Sequence, residues 1–201
     1  MLILLVAGLT GCSSTPDPTV QVVPSTVGTA SPDTPDTPDA PDAEQDPAPN
    51  AAAAPAAPAG VTVPSVGVDS PLMKLGLNPD GTVEVPPAEK GMTAGWYTGG
   101  VVPGEVGAAV IIGHNDTRFG KAVFHDLRKI AKGADIAVTD VKGEVVHFTV
   151  TNTESVDKDA FPTQRVYGPT RDRALRLITC DGDFDAQGHP VNNLIVYATR
   201  S

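Results

Sequence analysis

The chain has 201 residues and a formal net charge of −10, but that charge is unevenly spread. Residues 13–60 hold seven acidic groups and no Lys or Arg, whereas residues 61–201 hold 14 basic and 17 acidic groups, close to balance. With no basic patch a nucleic-acid partner is excluded, and the acidity reads as the solubility of a spacer.

Residues 1–12 form a separate unit. Residues 1–9 are apolar and too few to span a bilayer, while their length suits the core of a signal peptide. Leu9-Thr10-Gly11-Cys12 resembles a bacterial lipobox, which makes Cys12 the candidate lipidation site. An uncleaved membrane anchor with an incidental cysteine is the alternative, since no Lys or Arg precedes the apolar run. Either reading puts the rest of the chain at the outer face of the cell membrane.

Residues 13–60 hold eleven of the twenty prolines and no aromatic residue. Pro-Asp-Thr/Ala repeats between residues 31 and 46, and residues 51–59 are nearly all Ala and Pro. Such a segment has too little apolar surface to offset the entropy of ordering, so a disordered linker is expected, stiffened by proline. It would let the following domain reach through the envelope. Residues 61–201 are enough for one domain with its own core.

In that domain the signals are mostly those of strands. Val61-Thr62-Val63 and Val66-Gly67-Val68 are short β-prone runs broken by Pro64. Asn78-Pro79-Asp80-Gly81 is a turn, and the alternation in residues 82–85 predicts a strand after it. Residues 108–112 read as a buried strand. Residues 135–139 and 144–151 flank Asp140-Val141-Lys142-Gly143 as a hairpin, and residues 175–179 and 194–198 are two further buried strands. Residues 121–130 predict a helix, because Val123, Leu127 and Ile130 fall at helical spacing. Many short strands with frequent turns predict an all-β barrel. Trp96, Tyr97 and Tyr167 are expected in the core, with a cleft wall as the alternative. His125 and His147 are expected to be structural or exposed, and His189 lies in a loop after the cysteine.

Cys180 is the one cysteine of this domain and ends the apolar run 174–180. A strand that delivers a thiol beside a turn holds a nucleophile rigidly, provided a base can reach it. His114 ends the similar run 108–114 and is the candidate base. An imidazole ionises the thiol and later protonates a leaving amine. An inert buried cysteine and a core histidine are the bland alternative.

The surrounding motifs carry a resemblance. Ala94-Gly95-Trp96-Tyr97, Pro103-Gly104-Glu105-Val106-Gly107, Ile111-Ile112-Gly113-His114-Asn115-Asp116, Lys158-Asp159-Ala160-Phe161-Pro162-Thr163 and Leu177-Ile178-Thr179-Cys180-Asp181-Gly182 resemble the sortase family, in particular its actinobacterial class F group. The resemblance implies an eight-stranded sortase β-barrel with short helices. It also implies a cysteine transpeptidase acting on exported proteins with an LPxTG-type sorting signal. Cys180 would form a thioacyl enzyme and His114 would move the proton. An amine acceptor such as a cell-wall precursor would resolve the intermediate. No metal or organic cofactor is implied.

The resemblance also implies a catalytic arginine near the strand after the cysteine, where this chain reads Val191-Asn192-Asn193. Asn193, a neutral donor, and Arg176, which shares strand parity with Cys180, are the candidates for that third place; Arg200 lies at the far end of the strand. Two other readings stand beside the transpeptidase. One is hydrolysis or L,D-transpeptidation with the same Cys–His pair, although no Ser-x-Gly-Cys element is present. The other is a non-catalytic peptide-binding lipoprotein with a sortase-like barrel.

Overall fold

The computed structural model describes residues 55–188 and 190–201, so the expectations for Cys12, His189 and most of the linker lie outside the described residues. The first strand, β1 (Pro58–Val63), starts slightly inside the stretch expected to be linker. Pro64 then opens a 3-10 turn, Gly67 ends it at φ 67°, and β2 (Val68–Leu75) follows. The chain continues through β3 (Ala94–Tyr97), β4 (Gly107–Ile112) and a small hairpin of β5 (Asp116–Thr117) and β6 (Gly120–Lys121). After it come β7 (Asp135–Asp140), β8 (Val145–Asp157), the one-turn helix α1 (Thr163–Tyr167), β9 (Arg173–Phe184) and β10 (Pro190–Arg200).

Eight of these strands close into a barrel in the order β1-β2-β3-β4-β9-β10-β8-β7, with β7 paired back to β1. Closure leaves the barrel itself without an open edge. Two neighbour pairs are parallel, β2 with β3 and β4 with β9, and the others are antiparallel.

Strand alternation sends one set of side chains inward. Val61, Val63, Ala109, Ile111, Ile136, Val138, Phe148, Val150, Leu175, Leu177, Val196 and Ala198 are buried together inside the barrel. Each large side chain so buried contributes about 1.5–3 kcal/mol. A second cluster lies on the other face of β4, β9 and β10, where Val110, Ile112, Ile178, Ile195 and Tyr197 pack with Leu75 and with Val166 of α1. Burial on both faces explains why β4 and the first half of β9 read as unbroken apolar runs and not as alternation.

Two expectations need correction. Residues 121–130 are not an α-helix; they form successive i→i+3 turns ending in a 3-10 turn at Leu127–Lys129. Tertiary bonds pin the segment from its start, with Ala122 N donating to Asn115 O (3.0 Å), Val123 N to Gly91 O (2.9 Å) and Phe124 N to His114 O (2.8 Å). The helical spacing of Val123, Leu127 and Ile130 was a true burial signal, since all three are buried, but it did not specify an α-helix. Residues 82–85 form no strand: Val83 makes only an isolated bridge to Leu77, although the preceding turn is present, with Gly81 N bonded to Asn78 O at 2.9 Å. Residues 94–97, for which no element was expected, form strand β3.

Candidate active site

The parallel pairing of β4 with β9 sets the geometry. Ile112, the last residue of β4, is the register partner of Ile178, so His114, two residues past the strand end, follows β4 toward the level that Cys180 holds on β9. Gly113 N still donates to Ile178 O at 3.1 Å, which carries the pairing up to the histidine. Both residues are partly exposed and line one cavity of about 740 Å³, a size suited to binding a ligand. Cys180 is a free thiol. It does not stand at a strand tip, as its apolar run suggested: β9 continues to Phe184, held there by β10 after β4 has turned away.

Beyond the thiol the β9–β10 ladder is irregular, its register shifting between Pro190 and Asn192. Gly182 sits at the irregularity with φ 82°, and an added Cβ would meet the Asn192 side chain at 2.9 Å. Glycine is therefore needed two residues after Cys180 to let the strand bend past its partner.

His114 Nε2 lies 2.6 Å from the carbonyl oxygen of Pro86. A carbonyl only accepts, so Nε2 carries a hydrogen and Nδ1 is the ring nitrogen left for proton exchange. Pro86 ends a strap whose residues Leu77, Gly81, Thr82, Val83 and Val85 form one wall of the cavity. Neither the strap's place over the cavity nor its bond to the histidine was legible in the sequence.

Part of the lining is aromatic. Tyr97 and Tyr167 meet edge to face with centroids 5.8 Å apart, and Phe161 stands 6.1 Å from Tyr167. All three line the cavity, so for Tyr97 and Tyr167 the cleft-wall reading replaces the core reading. Trp96 is a core residue, 7% exposed, with Nε1 donating to Val101 O at 3.2 Å. Burial, with Tyr97 beside it, pushes the Tyr167 phenol up to about 12. The unfolded chain releases that proton near pH 10 while the folded chain still holds it. Stability is therefore fully present below pH 10 and falls as pH rises toward 12. Denaturant midpoints measured across that window should fall more steeply for the natural protein than for Tyr167→Phe; identical slopes would refute the assignment.

Among the other sequence candidates, Asn193 is the register partner of Cys180 and lines the cavity. Arg176 does not line it. It lies four residues back along β9, roughly 13 Å at the rise of an extended strand, with Ile178, Ile195 and Val166 packed on the face between. Its Nη1 donates to Leu175 O (3.1 Å) and Ala198 O (3.5 Å), its guanidinium stacks 4.8 Å from the Tyr197 ring, and burial lowers its pKa. Arg200 lines a separate hollow with Glu105 and Asp140. His125 pairs with Asp116 and His147 with Asp135, each at 3.0 Å and outside the cavity. Asn192 donates to Ser155 Oγ at 3.4 Å. Among the described residues, the cavity lining contains no Asp, Glu or Arg.

A comparison with known proteins matches residues 61–201 to a family model described as a sortase domain. Several solved structures share the fold. The lid mutant of sortase A from Corynebacterium diphtheriae is similar at TM-score 0.57 and 22% identity, over 76% of this chain and 74% of that one. Sortase A from Listeria monocytogenes is similar at TM-score 0.55 and 24% identity, over 73% and 88%. Sortase C-1 from Actinomyces oris is similar at TM-score 0.56 and 21% identity, over 71% and 73%. No curated protein matches the sequence.

Proposed function

The chain belongs to the sortase family, and from that membership we propose that it is a cysteine transpeptidase for exported proteins bearing an LPxTG-type C-terminal sorting signal. The observation that carries the reading is that Cys180 on β9 and His114, just past the end of the parallel neighbour β4, line one largely apolar cavity.

In this reading His114 Nδ1 takes the thiol proton while the Pro86 carbonyl holds the other ring nitrogen, so the imidazolium is oriented as it forms. The Cys180 thiolate attacks the carbonyl of the scissile Thr–Gly bond. The tetrahedral intermediate collapses to a thioacyl enzyme as the glycine amine leaves with the proton from His114. An amine on a cell-wall precursor or another surface protein then attacks the thioester, with water as the slower alternative. The described lining residues include no acidic side chain to repel the oxyanion.

The aromatic wall and the strap residues Leu77, Val83 and Val85 suit the apolar part of a sorting signal. The same motifs support class F as the subclass. Placement at the outer face of the membrane, through lipidation at Cys12 or through an uncleaved anchor, completes the proposal. No described helix is long and apolar enough to cross a membrane.

Intact-mass analysis after mixing with an LPxTG-type peptide tests the chemistry. A mass gain equal to the acyl fragment is expected on Cys180, removable by hydroxylamine. A second reading, a peptide-binding barrel without catalysis, is favoured by one feature, the lack of any arginine among the described residues of the cavity lining. Bound peptide with neither adduct nor cleavage would establish that second reading and overturn the first.

A further inference from the structure

A thiolate attack on a carbonyl needs a donor facing the oxygen on which charge develops, and a charged donor does this best. Neither Cys180 nor His114 supplies it, and Asn193 is neutral. We propose that Lys158 is that donor: its ammonium pairs with the oxyanion formed when Cys180 attacks. This inference rests on the transpeptidase reading above.

The ladder places Lys158 for this role. Cys180 on β9 is the register partner of Asn193 on β10, and Asn193 is in turn the partner of Val156 on β8. These three residues form a row across adjacent strands and share a face. Lys158 is two residues beyond Val156, so strand periodicity points it the same way just as the strand ends and the 3-10 turn Lys158–Ala160 begins. From β8 to β9 is two strand spacings, and Lys158 lies two residues further along than the row of Cys180, so the two backbones are roughly 12 Å apart. A four-carbon stem leaning over Asn193 shortens that gap toward a carbonyl bound at Sγ. Lys158 accordingly lines the same cavity as Cys180, His114 and Asn193.

Charge bookkeeping in the neighbourhood leaves this ammonium available. The adjacent Asp157 carboxylate is engaged in the turn, accepting from Asp159 N at 2.8 Å. Arg165 pairs with Glu154, Arg128 lies 3.7 Å from Asp181, and Arg176 is held on backbone carbonyls away from the cavity. Lys158 makes no ion pair among the described residues, and it is the only Lys or Arg in the lining. In the proposed step the sulfur pair forms the C–S bond and the carbonyl π pair moves to oxygen, opposite the ammonium. That pair returns to carbon as the C–N bond breaks, and the departing amine takes the proton held by His114.

Lys158→Met keeps the apolar stem and removes the charge, and Lys158→Arg keeps a charge. With an LPxTG-type peptide, kcat should fall on the order of 10²-fold in Lys158→Met with KM held, and Lys158→Arg should recover most of it. A threonine-terminated peptide aldehyde provides a second measurement, because its hemithioacetal with Cys180 puts an oxygen where the oxyanion forms. Protection of Cys180 from iodoacetamide by this aldehyde should weaken at least tenfold in Lys158→Met. Unchanged kcat and unchanged protection would overturn the role of Lys158, as would a loss confined to peptides with acidic side chains. No aldehyde adduct on Cys180 in the natural protein would instead sink the transpeptidase reading, so the two failures are distinguishable.

Discussion

Replacing Cys180 with alanine is expected to lower turnover of an LPxTG-type peptide on the order of 10⁴-fold or more, with the barrel intact. The size follows from the chemistry. The reaction divides one difficult amide exchange into two thioester steps, and without the sulfur there is no covalent route through this cavity. Among the described residues Cys180 is the one free cysteine, and no other thiol lines the cavity there. The structural cost should be small, since Cys180 is only partly buried and the β9–β10 pairing through Asn193 is made by backbone groups. Cleavage followed by chromatography, with circular dichroism as the check on folding, separates the two effects. Peptide binding should persist in the variant, because the apolar wall of Tyr97, Phe161 and Tyr167 is untouched. Undiminished cleavage by a well-folded Cys180→Ala protein would remove the nucleophile from the mechanism and the proposed function with it.

Much of this site was legible because it rests on short-range patterns. The runs ending in His114 and Cys180 stand out since β4 and β9 are buried on both faces, which leaves few polar residues to obscure them. The hairpin of β7 and β8 was visible because Asp140 organises its own turn, with Oδ1 accepting from Lys142 N and Glu144 N. What escaped the sequence depends on long-range partners. Strand β3 is four residues long and is held by parallel pairing to β2 on one side and by β4 on the other, none of which leaves a local signature. The 121–130 segment carried the right burial and the wrong element, because its early N–H groups bond to residues 91, 114 and 115 and not along a helix. Lys158 reads as one more exposed lysine until the Cys180–Asn193–Val156 row is known. Arg176 illustrates the reverse error of scale: parity put it on the correct face, but four residues of extended chain and a packed helix separate it from the thiol.

A side chain at position 113 is expected to damage the fold and the chemistry together. Gly113 joins the last residue of β4 to His114, and its backbone N–H bonds to Ile178 O, so the segment cannot shift without losing the strand register. An added Cβ would stand 2.6 Å from Phe124 Cδ2 and 2.7 Å from Val123 Cγ1. Neither neighbour can yield easily, because Phe124 is 0% and Val123 6% exposed. The adjoining backbone is also fixed, with Phe124 N donating to His114 O at 2.8 Å. Overpacking of this kind typically costs about 1–3 kcal/mol, so Gly113→Ala should lower the denaturant midpoint by a corresponding amount. The larger effect should be on rate. The strain can be relieved only by moving the 113–114 backbone away from Phe124, and that motion carries the imidazole off the Pro86 carbonyl and out of line with Cys180. A displacement near 1 Å at a catalytic group costs on the order of 10²-fold. Peptide turnover by Gly113→Ala should therefore drop by about that factor at temperatures where circular dichroism shows the protein still folded. Phe124→Leu, combined with Gly113→Ala, removes the ring atoms that the new methyl meets and should restore part of the rate. Full activity in the single variant would mean that the close packing beneath His114 does not position it.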